Sequence, residues 1–248
     1  MSIFYLNLNK YYYTIQMSSV AVSASTVKRL ISDIKDVQKS DLSKDGIYYK
    51  HDEENMLKGY ALIIGPKDTP YAYGNFLFKF DFPYNYPHAP PKVTYHTNDG
   101  QTRFNPNLYK NGKVCISLLN TWKGEQWTSC NTIRSVLIAL CTVLNDKPLI
   151  NEPGIRENHP DIENYNKIVE YRTLETAICN IMLNKYFDQE FEIFREEMRE
   201  NFMNNYDNIE KSLDRENVNL RCCTYCLSAQ TNYSKLKNNI KKIYKSIS

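Results

Sequence analysis

A helical spacing of apolar residues begins at Ser25 and ends near Ser40. Charged residues occupy most positions between them, so one side of the segment is apolar and the other is polar. A serine or threonine at the start can cap the first turn. The apolar positions are Val27, Leu30, Ile31, Ile34 and Val37. This pattern predicts an amphipathic helix.

The following segments have the features of β-strands. Three of them are predicted to form successive antiparallel strands: LKGYALIIG, GNFLFKFDFP and KVTYHT. Turn residues at Gly65-Pro66 and at Gly74 separate the strands. Alternate positions expected on one face are Phe76, Phe78, Phe80 and Phe82. A proline-rich run, FPYNYPHAPPKV, lacks several backbone donors and predicts a rigid, irregular crossover.

The rest of the chain combines one long loop with further helices. The connection from Asn98 to Gln126 shows neither the helical nor the strand period of apolar residues, which predicts a long loop. Long ordered loops in compact domains are usually functional. Helical spacing returns at Thr132 to Leu144 and again at Ile162 to Tyr171. A later stripe with helical spacing contains Phe187, Phe191, Phe194, Met198 and Phe202. We expect this stripe to face a core.

Composition and charge narrow the class of protein. The 248 residues carry 31 basic and 28 acidic side chains, so the net charge of +3 predicts neither nucleic-acid nor membrane binding. No window approaches the roughly 20 apolar residues of a membrane span, and we expect no signal peptide, because Asn and Tyr interrupt the opening apolar residues. Seven cysteines, an odd number, fit free thiols. We therefore expect a cytoplasmic or nuclear protein, in the host cytoplasm if the source is a virus.

The chemistry-bearing residues lie in the long loop. In RFNPNLYKNGKVCISLL, Asn107 precedes Cys115 by eight positions across a turn. Upstream lies GPKDTPYAYGNFLFKFDFPYNYPHAPPKV, and Trp127 follows downstream. Together these blocks resemble the ubiquitin-conjugating enzyme (UBC) family, in which a Pro-Asn pair eight residues before a cysteine marks the active site. Within the family, the pattern is most similar to the large Z-type enzymes and the conjugating domain of the giant inhibitor-of-apoptosis protein BRUCE.

The resemblance implies a fold and a domain organisation. The fold is α+β: an N-terminal helix, a four-stranded antiparallel meander sheet, a long active-site loop and then helices. We predict a flexible tail over residues 1–22 and a UBC core domain over residues 23–180. A helical C-terminal extension is predicted over residues 181–248.

The resemblance also implies a function. The chain would accept ubiquitin, or a ubiquitin-like protein, from an activating enzyme as a thioester on Cys115. It would then transfer this carrier protein to a substrate lysine, alone or with a ubiquitin ligase. No cofactor is expected, because the activating enzyme consumes the ATP. The expected partners are therefore the carrier, the activating enzyme, a ligase and protein substrates.

Cys115 is the predicted carrier of the acyl group. Thiolate is the attacking form of a cysteine, and a small thiolate fraction suffices for thiol exchange. A thioester stays reactive toward nitrogen and exchanges readily with other thiols, whereas a serine ester would stall. We expect the sulfur to lie open in a shallow groove. The alternative is an inert, buried small residue.

Asn107 is the candidate donor to the oxyanion. Attack by a lysine amine places negative charge on the thioester carbonyl oxygen, and a neutral amide can stabilise that charge. The alternative is that Asn107 only bonds backbone groups within its own loop. Both roles are compatible.

Glu152 is the candidate group that assists the lysine. The amine is protonated at neutral pH, so it must be desolvated or lose its proton during transfer. The resemblance places Glu152, in NEPG, at the acidic position that does this in the family. It is equally compatible with a plain surface carboxylate, and Asp146 is the second candidate.

Several positions depart from the family pattern. Most members have a histidine that braces the loop where this chain has Asn105, which puts the bracing in doubt. His88 and Thr128-Ser129-Cys130 replace residues used for ligase docking, so pairing with common RING-type ligases is in doubt. About four extra residues between Cys115 and Trp127 are expected to overhang the thioester.

Other classes of function have less support. A non-catalytic UBC-fold module that binds ubiquitin or ligases is the main alternative, but such variants lack the cysteine. A papain-like hydrolase would need a histidine near Cys115. The RCCTYC sequence has the CxxC spacing of zinc sites, but no fourth ligand lies nearby, so we expect unpaired thiols there and no metal.

Overall fold

A capped amphipathic helix opens the structure, a computed structural model that describes residues 22–185 and 187–247. Helix α1 spans Ala24–Lys39, and the Ser23 hydroxyl accepts a hydrogen bond from the Thr26 backbone N–H at 3.1 Å. The predicted first helix is therefore confirmed. The predicted tail, residues 1–22, lies outside the described residues except for Val22.

An antiparallel sheet follows in chain order. Its strands are β1 (Ile47–His51), β2 (Lys58–Ile64), β3 (Asn75–Asp81) and β4 (Lys92–Tyr95). Leu62 lies opposite Leu77, and Phe80 lies opposite Val93. The four-stranded meander is confirmed. Strand β1 was not located from the sequence, because only its first residue is buried and the rest are half-buried.

Both faces of the central strands are buried. One face, with Phe76, Phe78 and Phe80, belongs to a large core. Tyr60, Leu62 and Leu77 point to the other face. They pack there against residues from beyond the predicted core domain: Ile181, Phe191, Phe194 and Met198. Burial on both sides explains the consecutive apolar residues in these strands.

Helices complete the large core and support the long loop. Helix α2 spans Ile133–Thr142, is capped by Thr132 and contacts α1. A short 3-10 turn, Pro148–Asn151, leads to helix α3 at Ile162–Arg172. The chain then continues as a π-helical segment, Thr173–Asn180, that contacts β3.

The C-terminal extension contains helices and, in addition, a β-hairpin that the sequence did not predict. It contains helices α4 (Arg195–Asn204), α5 (Tyr206–Ser212) and α6 (Tyr233–Ile247), and a hairpin of strands β5 (Asn219–Cys222) and β6 (Leu227–Gln230). Each strand has four residues, too few for a clear periodic signal. The hairpin lies on α3, which gives its alternate apolar residues a surface to cover.

Across the described part of the chain, none of the helices combines the length and apolar character needed to cross a bilayer.

Candidate active site

Asn107 and Cys115 lie side by side across a tight turn. The backbone N–H of Cys115 donates to the Asn107 carbonyl at 2.8 Å, and Asn107 Nδ2 donates to the Cys115 carbonyl at 2.6 Å. Gly112 lies in the turn with a φ of +83°, a conformation that favours glycine. The structure therefore brings together the two residues that the motif predicted.

Cys115 is buried, contrary to the expectation of an open sulfur. Only 2% of its surface is exposed. The Thr121 hydroxyl accepts from the Ile116 backbone N–H at 3.1 Å and lies 3.1 Å from the Val114 carbonyl, which ties down the backbone on both sides of the cysteine. The cysteine is thus both buried and held in a fixed stretch of backbone. We therefore expect the segment to move when the sulfur reacts.

The loop that follows Thr121 returns toward the cysteine. A Cβ added to Gly124 would lie 3.1 Å from Ser117 Cβ, which shows how closely the loop approaches this segment. The Gln126 amide donates to the carbonyls of Trp122 and Gly124 at 3.0 and 3.1 Å. The extra residues predicted to overhang the thioester thus lie beside Ser117, two positions after Cys115. Trp122 is half-buried in this loop.

The Asn107 side chain is buried, and only part of its hydrogen-bonding capacity is used. Its exposed fraction is 5%, and Oδ1 has no hydrogen-bond partner among the described residues. One Nδ2 hydrogen is used by the Cys115 carbonyl. The other is not used by any hydrogen bond in residues 22–185 and 187–247. The backbone contact fits the structural role, and the spare hydrogen leaves the predicted oxyanion role available.

Asn105 braces the loop in place of the family's histidine. It is fully buried, and its Nδ2 donates to the Tyr71 hydroxyl at 2.8 Å and the Val143 carbonyl at 2.7 Å. Its Oδ1 accepts from the Asn107 backbone N–H at 2.9 Å. Burial raises the pKa of Tyr71, whose protonated hydroxyl donates to the Phe104 carbonyl at 2.7 Å. The doubt about bracing is thereby resolved.

Replacing Asn105 by alanine is expected to lower the free energy of unfolding by about 2–3 kcal/mol, because it leaves buried donors and acceptors without partners. Urea denaturation would measure the change. Asn204→Ala, at an exposed asparagine, serves as the control and should change stability little. Equal effects of the two substitutions would contradict the bracing role.

Glu152 follows the Pro148–Asn151 turn and is half-buried. Its Oε2 accepts a hydrogen bond from the Tyr225 hydroxyl, which lies between β5 and β6 of the extension. Burial, followed by this hydrogen bond, raises the pKa of Tyr225. The structure thus pairs Glu152 with the extension, and its assignment to the lysine step stays a prediction. Asp146, the second candidate, is exposed.

Two residues near the site were missed by sequence reasoning. The Arg103 guanidinium lies 3.6 Å from the Tyr109 ring centroid and 4.5 Å from that of Tyr225. Its Nη2 donates to the Pro106 carbonyl at 2.6 Å. Arg103 lies two residues before the Asn-Pro-Asn motif in the sequence, and this proximity could have indicated that it lies near the site. Tyr225 lies too far along the chain for any local pattern to reveal it.

The segments that the family uses for ligase docking meet on one surface. Arg29 of α1 donates to the Ser129 carbonyl at 2.6 Å. The Trp127 indole N–H donates to the Pro87 carbonyl at 2.7 Å. His88, beside Pro87, is exposed. The first helix, the tip of the proline-rich loop and the loop after Trp127 are therefore held together.

Comparison with known proteins agrees with this geometry. The family model described as "Ubiquitin-conjugating enzyme" matches residues 29–173. The human ubiquitin-conjugating enzyme E2 Z is 43% identical over 160 residues, which is 63% of this chain and 45% of that protein. The Xenopus tropicalis E2 Z is 40% identical over 188 residues, which is 75% of this chain and 59% of that protein.

A third similarity is to a much larger protein. The human dual E2 ubiquitin-conjugating enzyme/E3 ubiquitin-protein ligase BIRC6 is 40% identical over 154 residues, which is 58% of this chain and 3% of that protein. The chain spans about half the length of the E2 Z relatives that it matches. These similarities confirm the resemblance that the motifs indicated. Because the family model covers more than half of its residues, the chain belongs to the ubiquitin-conjugating enzyme family.

Proposed function

We propose that the chain carries ubiquitin, or a ubiquitin-like protein, as a thioester on Cys115 and transfers it to a lysine amine. The observation that supports this most is the pair of hydrogen bonds joining Asn107 and Cys115. They place a side-chain amide next to the cysteine in a chain of the conjugating-enzyme family.

The reaction has two acyl transfers. First, the Cys115 thiolate attacks the thioester between the carrier and the activating enzyme, and the cysteine of the activating enzyme leaves as the thiolate. Then a lysine amine attacks the new thioester, an amide forms, and Cys115 leaves as the thiolate. The spare Asn107 N–H would stabilise the oxygen that becomes negative in the second step. The lysine proton would pass to Glu152 or to water.

The partners follow from this chemistry. The activating enzyme supplies the carrier and consumes the ATP, so the chain itself needs no cofactor. A ligase would use the surface formed by α1, His88 and the loop after Trp127. The replacements at His88 and Thr128-Ser129-Cys130 weaken the case for pairing with the common RING-type ligases. Acceptor proteins supply the lysine. We place the protein in the cytoplasm or nucleus, where its cysteines would stay reduced.

A loading experiment tests the proposal. The chain is incubated with activating enzyme, ATP and ubiquitin, and the products are separated by gel with and without reducing agent. We expect an adduct that the reducing agent removes, and none with Cys115→Ala. Cys130→Ala, at an exposed thiol, is the control and should load normally. If no ubiquitin-like protein forms an adduct, a non-catalytic binding module becomes the better description. If Cys115→Ala still forms a thiol-sensitive adduct, another cysteine carries the acyl group and the assignment of Cys115 fails.

Glu152→Gln is expected to slow discharge to free lysine by about 10²-fold, the lower end for a positioned acid–base group. Loading should not change, because the first transfer involves no amine. Single-turnover discharge of the preloaded chain measures the effect. Glu157→Gln, at an exposed carboxylate nearby in sequence, is the matched control. Normal discharge by Glu152→Gln would show that Glu152 is only a surface carboxylate.

A further inference from the structure

The turn between β5 and β6 lies against the candidate active site. We call this turn, Thr224–Cys226, the hairpin tip. Tyr225 and Cys226 have positive φ values of 62° and 50°. Such a conformation is unfavourable for residues other than glycine, and it persists where the surroundings hold it. We therefore expect contacts with the rest of the protein to hold the hairpin tip in this conformation.

Asp161, just before α3, anchors the hairpin tip. Its carboxylate accepts from the Thr224 backbone N–H and hydroxyl, each at 2.7 Å, and from the Cys223 backbone N–H at 3.2 Å. The hydrogen bonds from Thr224 lower the pKa of Asp161, so the carboxylate is ionised at neutral pH. The tip is thus fixed to the start of α3, a helix within the residues that match the family.

Tyr225 of the anchored tip contacts two residues near the site, Arg103 and Glu152. The centroid of its ring lies 4.5 Å from the Arg103 guanidinium, and the centroid of Tyr109 lies 3.6 Å from the same group. A cation over two aromatic rings is stabilised by both. The Tyr225 hydroxyl donates to Glu152. One side chain of the extension therefore contacts both the arginine and the predicted acidic residue.

Arg103 links Tyr225 to the loop that contains Asn107. Its Nη2 donates to the Pro106 carbonyl at 2.6 Å, and this carbonyl belongs to the peptide bond that leads into Asn107. The Asn107 side chain in turn bonds the Cys115 carbonyl. The contacts form a continuous path from Tyr225 through Arg103 to the two residues of the motif.

We propose that Tyr225 is a positioning residue for acyl transfer: its ring holds Arg103 against the Asn107 loop, and its hydroxyl orients Glu152. It touches neither the thioester nor the incoming amine, so its effect passes through those two residues. The C-terminal extension thereby becomes part of the transfer machinery. This inference rests on the proposed function, since it concerns the second step of that reaction.

The two contacts can be separated by substitution. Tyr225→Phe keeps the ring on Arg103 and removes the hydroxyl from Glu152. Tyr225→Ala removes both. Small displacements of positioned groups cost large factors in rate. We expect discharge to free lysine to slow about threefold with phenylalanine and about tenfold or more with alanine. Loading and the dependence of rate on lysine concentration should change little.

The test uses the full chain, loaded on Cys115 and followed in single-turnover discharge. Tyr225→Phe is measured alone and combined with Glu152→Gln. If the hydroxyl acts through Glu152, the phenylalanine substitution has no further effect in the Glu152→Gln background. Tyr244→Ala removes another half-buried tyrosine of the extension and should leave discharge unchanged. The ring centroid of Tyr244 lies 4.2 Å from that of Tyr206, with the two rings tilted.

Three results would contradict the positioning role of Tyr225. Native discharge by Tyr225→Ala, or equal slowing by Tyr244→Ala, would overturn the positioning role. Effects of Tyr225→Phe and Glu152→Gln that simply multiply would also overturn it, and this comparison holds even if the alanine variant fails to fold. Failure of the native chain to load would instead refute the proposed function, and the positioning role with it.

Discussion

Asn107→Ala is expected to load normally and to discharge to free lysine about 10²–10³-fold more slowly, the usual cost of losing one oxyanion donor. The reason is that negative charge develops on the thioester oxygen only when the amine attacks. The side chain lies next to Cys115, with its second amide hydrogen not engaged in any hydrogen bond of the described residues. Preloaded enzyme, chased with lysine, gives the rate directly.

The structural role of Asn107 predicts a different result. Its hydrogen bond to the Cys115 carbonyl also shapes the loop, and loss of that bond alone would disturb loading as well as discharge. Asn111→Ala changes an exposed asparagine of the same turn and is the matched control. Unchanged discharge by Asn107→Ala would rule out the oxyanion role, and equal losses in both steps would assign the residue to loop structure.

Cys115→Ser is expected to convert the adduct into an oxygen ester that survives reducing agent and does not pass measurably to lysine. A hydroxyl is a weaker nucleophile than a thiolate, so loading should also be slower. Gels with and without reducing agent, followed by a lysine chase, measure both properties. The chain has six other cysteines, all free, and each is a potential competitor. A thiol-sensitive adduct on Cys115→Ser would therefore place the carrier on another residue.

Cys115 is buried, so both reactions require a change in structure around it. With 2% of its surface exposed, the cysteine must become accessible before it can meet the thioester of the activating enzyme. Hydrogen bonds with Thr121 fix the backbone on both sides of the cysteine, and Gly124 lies beside Ser117. We therefore expect this part of the chain to move before the sulfur reacts.

Local periodicity predicted the elements whose burial follows a regular pattern. Helix α1 has one apolar side, and the phenylalanines of β3 alternate, so both were located from the residues alone. The motif likewise placed Asn107 near Cys115, because the intervening turn contains Gly112. These features depend on contacts between residues close in the sequence, which a pattern can represent.

Contacts between distant segments account for what was missed. The β5–β6 hairpin depends on α3 for its covered face, and its strands are too short to show a period. The burial of Cys115 depends on tertiary packing that no local period describes. Tyr225 contacts Arg103 and Glu152 from a hairpin tip that Asp161 of a distant segment holds in place. No local pattern contains such information.

The most direct test of the central claim is to locate the acyl group itself. The loaded chain is quenched at low pH without reducing agent, digested, and mapped by mass spectrometry. The account predicts that the carrier's C-terminal peptide is joined to the fragment containing Cys115, and to none of the fragments containing the other six cysteines. A carrier peptide found on a different cysteine, with Cys115 unmodified, would contradict it.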